Sequence, residues 1–584
     1  MSKQLLLGDE AIAQAALDAG LSGVYAYPGT PSTEITEYIQ MAPITAEKNI
    51  HNRWCSNEKT AMEAALGMSF AGKRSLVCMK HVGMNVAADC FINSAITGVK
   101  GGLIVIAADD PSMHSSQNEQ DSRHYARAAK LPMVEPADSE ECKEFVKYAY
   151  EISEQYDTPV ILRLTTRVAH SQSLVQEEER KDIPLKEYTK DFTKYAMMPA
   201  QAKARHYVVE ERMQKLAELA ETTKLNRIEM KDTKIGIITS GINYQYVKEA
   251  VPEASVLKLG LVHPLPVELI KEFASKVDTL YVVEDLDDII ETHCRKYGIE
   301  VIGKEIFPVC DEFSTNLVRE KILGKKTEPF AKAEESVPVR PPVLCPGCPH
   351  RGVFYVLGKL KLTVSGDIGC YTLGALAPLN ALDTTICMGS SISGLHGFEK
   401  ARGRDFAKKS VAVIGDSTFM HSGVTGLIDI AYNKGISTVV VLDNSITGMT
   451  GHQQNPITGL TLKGEKTSIV DIPLLCKAVG INRVVTADPF DVENFEKIVK
   501  EELAAEEPSV IIAKRPCALL KYVKFPGALS IDPEKCKKCG MCMKIGCPAI
   551  SKAENGYEID PTLCNGCGLC LNICKFGAIG KGDE

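Results

Sequence analysis

The chain has 584 residues, of which 45% are hydrophobic and 24% are charged, and these values are ordinary for a globular protein. This length predicts about three to five domains. The net charge of −8 argues against a nucleic-acid-binding surface. No apolar run approaches the roughly 18 residues that span a bilayer, and the N-terminus has no signal-peptide pattern. We therefore expect a cytoplasmic protein that binds neither nucleic acid nor membrane.

Residues 1–180 alternate between helical and strand patterns, which is typical of a parallel α/β sheet. Helices are predicted over 11–19 and within 54–71, and strands over 24–27, 76–79, 103–107 and 160–164. His81 lies just after the predicted strand 76–79, and Arg123 closes a polar segment, 109–123, that we expect to be a loop. His81 and Arg123 are candidates for binding a substrate carboxylate, although a solvated loop explains either residue at least as well.

The middle of the chain separates into a linker and a second α/β domain. Residues 181–234 are charged and mixed, which predicts a linker with helical arms. Residues 235–326 have a new series of apolar strand patterns and resemble the C-terminal domain of transketolase-like enzymes, which is often structural. Residues 327–340 are predicted to form a second linker.

Residues 341–527 are predicted to be a third α/β domain, organised around a strand–helix–strand unit at 411–450. An apolar strand ends just before Asp416, and a second ends just before Asn444. Because parallel strands present their carboxyl ends at the same edge of a sheet, the two side chains are expected to meet there. Carboxylate and amide oxygens suit Mg²⁺. An ordinary structural Asp in a turn is the alternative.

A second feature of this domain is the segment that precedes a predicted helix near residue 390. Gly389, Ser390 and Ser391 open that helix, and helix N-termini favour anions such as a diphosphate. Met388 comes directly before them. It is either part of the core, as most Met residues are, or a residue that supports a cofactor.

The C-terminal segment, 528–584, contains eight of the chain's twenty cysteines in a duplicated pattern. In a reducing compartment, grouped cysteines indicate metal or cluster ligands. The repeated C-x2-C-x2-C run is the bacterial two-cluster ferredoxin pattern, in which the fourth cysteine of each run serves the other cluster. One cluster is assigned Cys536, Cys539, Cys542 and Cys574, and the other Cys564, Cys567, Cys570 and Cys547.

Two departures from the ferredoxin pattern are present. Four residues separate Cys542 from Cys547, and Lys575 follows Cys574 where proline is usual. Zinc is the alternative occupant, but zinc ribbons use paired C-x2-C motifs.

Several motifs together resemble the alpha subunits of indolepyruvate:ferredoxin oxidoreductases, which are thiamine diphosphate-dependent 2-oxoacid:ferredoxin oxidoreductases. They are YPGTPSTE, CPGCPHRG, DIGCYTLG, MGSSIS and GDS, followed by the C-terminal cysteines. The resemblance covers nearly the whole chain in the family's domain order. It implies two thiamine domains, of which 1–180 binds the pyrimidine and 341–527 the diphosphate. It also implies a transketolase C-terminal-like domain and a ferredoxin-like domain with two [4Fe-4S] clusters.

The resemblance assigns roles to particular residues. Glu58 binds the pyrimidine ring and activates the cofactor, although a Glu at a helix N-terminus is common without such a role. Thr30 lies in the active-site turn, and Met388 lies under the cofactor. Cofactor-binding and magnesium-binding residues are found in the motif that begins at Gly415; they are Asp416, Ser417, Asn444 and the backbone carbonyl of Ile446.

A third cluster is a further hypothesis from the resemblance. Related enzymes hold a cluster beside the thiamine ring on a CPGC pair, a GC turn and a later Pro-Cys. This sequence matches those positions with Cys345, Cys348, Cys370 and Cys517. Buried structural cysteines are the alternative.

The implied activity is oxidative decarboxylation of aryl 2-oxoacids, such as indolepyruvate and phenylpyruvate, to acyl-CoA and CO2. The implied partners are a smaller beta subunit in an (αβ)2 assembly, and ferredoxin. Three alternatives stay open from sequence: an oxidoreductase for another 2-oxoacid such as pyruvate, a non-redox thiamine lyase with a zinc tail, and an electron-transfer subunit with an inactive thiamine fold.

Overall fold

A computed structural model describes residues 3–328 and 340–581 of the chain. The chain divides into two compact units, Met1–Lys332 and Ala333–Glu584. Most of the predicted second linker, residues 329–339, lies outside the described residues. No helix in the described ranges is long and apolar enough to cross a membrane.

The first unit consists of thirteen strands and fourteen α-helices among its described residues. The strands are β1 (Lys3–Leu7), β2 (Gly23–Ala26), β3 (His51–Trp54), β4 (Ser75–Lys80), β5 (Leu103–Asp109), β6 (Met133–Val134), β7 (Val160–Thr165), β8 (Gln172–Gln176), β9 (Arg227–Glu229), β10 (Asp232–Ser240), β11 (Ala254–Leu259), β12 (Leu261–His263) and β13 (Thr279–Val283). The helices are α1 (Gly8–Asp18), α2 (Thr33–Met41), α3 (Pro43–Glu47), α4 (Glu58–Phe70), α5 (His81–Thr97), α6 (Arg123–Ala129), α7 (Ser139–Tyr156), α8 (Thr166–His170), α9 (Phe192–Tyr195), α10 (Pro199–Thr222), α11 (Asn243–Ala250), α12 (Val267–Ala274), α13 (Ile289–Lys296) and α14 (Thr315–Leu323).

The main sheet of this unit has seven strands in the order β12-β6-β7-β5-β4-β2-β3. Six strands are parallel, and the edge strand β12 is antiparallel to β6. Its central strands are buried on both faces, as the continuous apolar run of β5 predicts. Because β2 and β4 are parallel, their carboxyl ends lie at the same edge of this α/β sheet.

A second sheet has the order β13-β10-β11-β9. Strand β9 and helix α10 both fall within the predicted linker 181–234. In α10, the side chains of Leu216 and Ala220 are fully buried in the core of the main sheet. Much of the predicted linker 181–234 is therefore folded and packed against the rest of the first unit. The edge strand β12 comes from the predicted domain 235–326 but extends the first domain's sheet, so the two sheets are joined more closely than the sequence predicted.

The second unit is built on a five-stranded parallel sheet of order β14-β15-β16-β18-β17. The strands of this unit are β14 (Thr363–Ser365), β15 (Ser410–Gly415), β16 (Thr438–Asp443), β17 (Arg483–Ala487), β18 (Ser509–Lys514), β19 (Leu529–Ile531), β20 (Ile550–Ala553), β21 (Gly556–Ile559) and β22 (Ile579–Lys581). The α-helices are α15 (His350–Lys359), α16 (Ser390–Arg402), α17 (Arg404–Ala407), α18 (Asp416–Thr418), α19 (Val424–Tyr432), α20 (Ile472–Ala478), α21 (Val492–Leu503) and α22 (Leu569–Ile573).

The C-terminal segment is small and has two short antiparallel pairs, β19 with β22 and β20 with β21. Its apolar residues Ile545, Leu569 and Ile573 belong to the same buried cluster as Val353 and Phe354 of α15. The ferredoxin-like segment is therefore packed onto the body of the second unit.

Candidate active site and iron–sulfur ligands

Asp416 and Asn444 occupy the positions that the strand–helix–strand pattern predicted. Strands β15 and β16 are parallel, with Gly415 opposite Leu442, and each of the two candidates follows one of these strands. Asp416 is 3% exposed and Asn444 is 8% exposed. The Asp416 carboxylate accepts hydrogen bonds from the backbone N–H of Ser417 at 2.6 Å and of Ser445 at 3.0 Å. The two ligand candidates thus share one sheet edge.

The electrostatics of Asp416 fit a cation. Burial, and then the nearby charge of Asp443, raise the pKa of Asp416 to about 8. A bound divalent cation would remove that penalty, because an opposite charge favours the ionised carboxylate. The oxygen donors of Asp416 and Asn444 are those that Mg²⁺ prefers. Ile446, whose carbonyl is the third candidate, is buried, and its N–H donates to Asn444 Oδ1 at 3.2 Å.

The predicted diphosphate seat at the N-terminus of α16 is already occupied by a side chain of the protein. The carboxylate of Asp367 accepts hydrogen bonds from Gly389 N at 2.9 Å and from Ser391 N at 3.0 Å. Ser390 Oγ donates to the carbonyl of Cys387 at 2.8 Å. Because an internal carboxylate uses these two donors, this helix end does not offer them to a diphosphate as the sequence predicted. Asp367 opens the DIGCYTLG motif, and the motif by itself did not predict this role.

Met388 lies in the turn just before α16 and is half-buried. It is therefore not a core residue, which was the alternative explanation, and it keeps exposed surface at the end of the sheet that carries Asp367. Its role under the cofactor stays a prediction.

Glu58 begins helix α4 in the first unit and is 6% exposed. Asn57 caps this helix, because its side chain accepts a hydrogen bond from Thr60 N at 2.9 Å. The Glu58 side chain lies against Gly83 in α5. A Cβ atom at position 83 would lie 2.7 Å from Glu58 Cγ and 2.9 Å from Oε1. The missing side chain of Gly83 therefore makes the space that Glu58 occupies, a role that sequence analysis missed.

Thr30 and His81 follow the paired strands β2 and β4, so both lie at the same edge of the main sheet. His81 is fully buried, and its Nε2 is 3.0 Å from Asn118 Oδ1. The neighbouring Lys80 is also buried, and its ammonium donates to the carbonyl of Ser115 at 2.8 Å. Burial lowers the pKa of Lys80. Lys80 is thus a buried cation at this edge, and sequence analysis did not single it out.

Arg123 does not have the environment expected of a substrate ligand. Its guanidinium is 1% exposed and forms ion pairs with Asp121 and Glu284, each at 2.6 Å. It also donates to the carbonyls of Asp285 and Asp287, both at 3.0 Å. Protein acceptors therefore engage Arg123 fully, and it joins the loop after β5 to the loop after β13. The prediction that it binds a substrate carboxylate is wrong for this arrangement.

Each predicted foursome of tail cysteines is brought together. Burial raises the pKa of Cys542, and the nearby thiols of Cys536, Cys539 and Cys574 raise it further. The pKa of Cys570 is raised to about 12, mainly by burial and then by the neighbouring thiols of Cys567, Cys547 and Cys564. Both fourth cysteines thus cross over to the other run, as the ferredoxin pattern predicted.

The four remaining candidates, Cys345, Cys348, Cys370 and Cys517, are also neighbours. Burial and then the thiols of Cys517 and Cys345 raise the pKa of Cys370 to about 11. Burial raises the pKa of Cys348 to about 12, and Cys370 and Cys345 are smaller contributors. We call these four residues the thiol quartet.

The thiol quartet adjoins the loop that carries Asn444. Cys517 N donates to the Asn444 carbonyl at 2.9 Å. The Sγ of Cys370 would lie 3.6 Å from a Cβ atom at Gly448, and Asn444 Nδ2 would lie 3.9 Å from the same point. The quartet and the candidate magnesium ligands therefore form one continuous site within the second unit.

The spacing of these thiols does not suit zinc. Tetrahedral zinc with Zn–S bonds of about 2.3 Å places its sulfur ligands about 3.8 Å apart. All twelve cysteines lie in the described part of the chain, and no three of their sulfur atoms are within 4.8 Å of one another. In a [4Fe-4S] cluster each cysteine binds a separate iron atom, so its four sulfur atoms need not lie as close together as the ligands of one zinc ion.

Arg351 connects the thiol quartet with the tail. Its guanidinium donates to the carbonyls of Cys345 and Ile545, both at 3.0 Å, and also to Leu344 and Gly546. Asn565, which lies between two tail cysteines, donates to the Pro346 carbonyl at 3.0 Å. The quartet therefore adjoins the second tail foursome, which sequence analysis did not foresee.

Comparisons with known proteins agree with this arrangement. Residues 14–232 match the family described as "Pyruvate flavodoxin/ferredoxin oxidoreductase, thiamine diP-bdg". Residues 367–513 match "Thiamine pyrophosphate enzyme, C-terminal TPP binding domain", and residues 557–580 match "4Fe-4S binding domain".

Curated relatives cover nearly the whole chain. Indolepyruvate oxidoreductase subunit IorA of Pyrococcus horikoshii is 40% identical over 94% of this chain and 92% of its own length. The subunit of the same name from Methanothermobacter thermautotrophicus is 39% identical over 99% of this chain and 98% of its own. Among solved structures, a 2-oxoglutarate:ferredoxin oxidoreductase from Magnetococcus marinus covers 55% of this chain and 65% of its own at TM-score 0.47 and 16% identity. That overlap is too slight to carry an argument.

Two thiamine-binding domains and a 4Fe-4S domain in one chain define an oxidoreductase of the thiamine diphosphate-dependent 2-oxoacid:ferredoxin class. Membership of this class excludes the non-redox lyase that the sequence left open. Within the class, the chain belongs to the indolepyruvate oxidoreductase subunit IorA family.

Proposed function

We propose that this chain is the thiamine-bearing subunit of a cytoplasmic enzyme that oxidatively decarboxylates aryl 2-oxoacids, such as indolepyruvate and phenylpyruvate. The products are acyl-CoA, CO2 and reduced ferredoxin. The aryl substrate class rests on the names of relatives at about 40% identity. The redox character rests on one observation above all: Cys517 N donates to the Asn444 carbonyl at 2.9 Å, so candidate cluster ligands adjoin candidate magnesium ligands.

When bound, thiamine diphosphate supplies the carbon nucleophile for decarboxylation, and iron–sulfur clusters carry single electrons. Asp416, Asn444 and the Ile446 carbonyl would hold Mg²⁺, an ion that protein sites usually bind through one or two carboxylates together with substrate phosphates and water. Glu58 holds a proton at the pyrimidine ring, and its burial against Gly83 keeps the carboxylate in one position. Met388, which lies just before α16, would support the cofactor.

The substrate carboxylate is bound at the edge of the main sheet. We assign this role to His81 and to the buried ammonium of Lys80, with Thr30 in the adjoining turn. Lys80 suits an anion because it is a desolvated cation; among the described residues its ammonium has one carboxylate within 4 Å, that of Asp110 at 3.7 Å, besides its hydrogen bonds to Ser115. Arg123 has no part in this assignment.

We propose that the thiol quartet would hold a third [4Fe-4S] cluster, which would supply an electron carrier between the thiamine site and the clusters of the tail. The contacts of Arg351 and Asn565 support this order, because they join the quartet loop to the tail. Iron analysis of the full-length Cys370→Ser variant tests whether the thiol quartet binds a third cluster. Cys370→Ser is expected to lower iron from about 12 to about 8 atoms per chain.

Cys310→Ser is the control for that experiment, because Cys310 is exposed and belongs to no foursome. Its iron content should equal that of the wild-type chain. A wild-type chain with about 8 iron atoms, unchanged in Cys370→Ser, would exclude the third cluster.

A smaller beta subunit in an (αβ)2 assembly completes the proposed enzyme, a proposal supported by the curated relatives, which are each named as one subunit of an oxidoreductase. The test is coexpression of both subunits, anaerobic purification and assay of viologen reduction with coenzyme A. We expect kcat/KM for indolepyruvate and phenylpyruvate to exceed that for pyruvate by about 100-fold, since aryl burial is worth a few kcal/mol. A preference for pyruvate would favour the alternative substrate, and full activity from the isolated chain would exclude the need for a partner.

A further inference from the structure

Three side chains outside the proposed active site converge in the first unit. Asp9, Glu34 and His170 each offer a ligand atom, and these atoms all lie within 4.8 Å of one another. Asp9 is in the first turn of α1, Glu34 is in the first turn of α2, and His170 is the last residue of α8. Three separate helices therefore supply one mixed oxygen and nitrogen ligand set.

The Asp9 carboxylate is the unusual member of this trio. Its side chain is 0% exposed, and neither of its oxygens has a hydrogen-bond partner among the described residues. The second oxygen of Glu34, Oε2, is also buried without a partner there. Glu10, the neighbouring acid, is already engaged, because its carboxylate accepts a hydrogen bond from Leu7 N at 2.8 Å. A buried carboxylate with no donor and no cation is costly.

The other two members open the site to solvent. The side chains of Glu34 and His170 are 38% and 37% exposed, and Glu34 Oε1 is 3.7 Å from His170 Nε2. An ion can therefore enter from the surface, reach the closed end at Asp9 and keep water as its remaining ligand. Two carboxylates and a neutral imidazole carry a charge of −2, which a divalent cation balances.

We propose that Asp9, Glu34 and His170 bind a divalent transition metal ion of the Zn²⁺ type. The imidazole favours Zn²⁺ over Mg²⁺ or Ca²⁺, which prefer an all-oxygen shell. Three protein ligands and a water molecule complete a tetrahedral shell. This site is separate from the proposed magnesium and cluster ligands, all of which lie in the second unit.

The metal fixes the position of α2, which directly follows the active-site turn. Gly29 N in that turn donates to Thr33 Oγ1 at 3.1 Å, so the turn is held by the first residue of α2. A metal that joins Glu34 to α1 and α8 therefore holds the turn against the sheet edge. Its role is positional, and it does not contact the reacting atoms.

The test measures zinc binding to the intact chain loaded with iron and sulfide, so that the cysteines are occupied. Zn²⁺ is titrated against a competing chelator for the wild-type chain and for His170→Gln and Asp9→Asn. We expect one wild-type site that is weakened at least tenfold in each variant, since even outer-shell changes cost 10- to 100-fold.

His206→Gln is the matched control. His206 is an exposed histidine paired with Glu210 at 3.3 Å, which reproduces the His–Glu pair without a buried aspartate. Its zinc affinity should equal that of the wild-type chain.

Thermal melting separates the metal from its main rival, a protonated Asp9 beside a simple His170–Glu34 pair. The rival predicts that Asp9→Asn melts at or above the wild-type temperature and that Zn²⁺ shifts neither chain. The metal site predicts a Zn²⁺-dependent rise in the wild-type chain that Asp9→Asn and His170→Gln both lose. Equal zinc affinity in all four chains, or no zinc-dependent rise in the wild-type chain, would overturn the proposal.

Discussion

The substitution Gly83→Ala tests whether the position of Glu58 matters for turnover. A Cβ atom there would lie 2.7 Å from Glu58 Cγ, whereas real Cβ contacts are rarely closer than 3.4 Å. The Glu58 side chain must therefore withdraw by about 0.7 Å or more, and the Cβ of Met79, at 3.0 Å, resists movement on the other side. A misplacement of about 1 Å costs about 100-fold in rate when a group acts on the reacting atoms.

Stability should change little in the same variant. Alanine is favoured over glycine within a helix by about 1 kcal/mol, which offsets part of the contact strain in α5. We therefore expect turnover to fall about 100-fold while the melting temperature moves by a few degrees. Viologen reduction by the assembled enzyme measures the first quantity, and calorimetry measures the second.

Two comparisons make this prediction sharp. Gly67→Ala is the matched control, because Gly67 lies within α4 itself and a Cβ atom there meets nothing within 4 Å. It should raise stability by up to about 1 kcal/mol and leave turnover unchanged. The second comparison is Glu58→Gln, alone and with Gly83→Ala. If Gly83 acts through Glu58, the double variant is no slower than Glu58→Gln. Additive losses, or wild-type turnover in Gly83→Ala, would refute the reasoning.

Three further predictions concern the scaffold. Arg163→Met should lower the free energy of unfolding by about 3–5 kcal/mol, because the substitution leaves the carboxylates of Asp109 and Glu135 buried without their cation. Denaturant titration measures this change, and a loss below about 1 kcal/mol would contradict the prediction. Burial lowers the pKa of His263 to about 4. The contribution of neutral His263 to folding stability is therefore complete above the unfolded-state pKa near 6.5, and up to about 3 kcal/mol is lost as pH falls toward 4. The melting temperature should fall less steeply across this pH range in His263→Asn than in the wild-type chain. Arg351→Lys removes the planar guanidinium that donates to four backbone carbonyls. Limited proteolysis should therefore release the cysteine-rich tail faster than in the wild-type chain. An unchanged cleavage rate would show that apolar packing alone holds the tail in place.

The sequence alone determined the parts of this protein that depend on local patterns. Apolar runs located the strands β5, β15 and β16 to within two residues of their ends, because a strand buried on both faces must be apolar throughout. Strand polarity then placed Asp416 and Asn444 at one edge. The cysteine spacing likewise predicted which tail thiols meet, since in the two-cluster ferredoxin pattern the fourth cysteine of each run joins the three cysteines of the other run.

The tertiary structure alone decided which groups occupy the space between these elements. The N-terminus of α16 looked free for a diphosphate, but the carboxylate of Asp367, 22 residues before Gly389, accepts hydrogen bonds from the backbone N–H groups of that helix end. Arg123 looked like a loop residue, but Glu284, 161 residues further on, pairs with it in the interior. The burial of Asp9 beside Glu34 and His170 also joins distant segments. Such contacts depend on how sheets and helices pack against one another, so the local sequence pattern does not predict them.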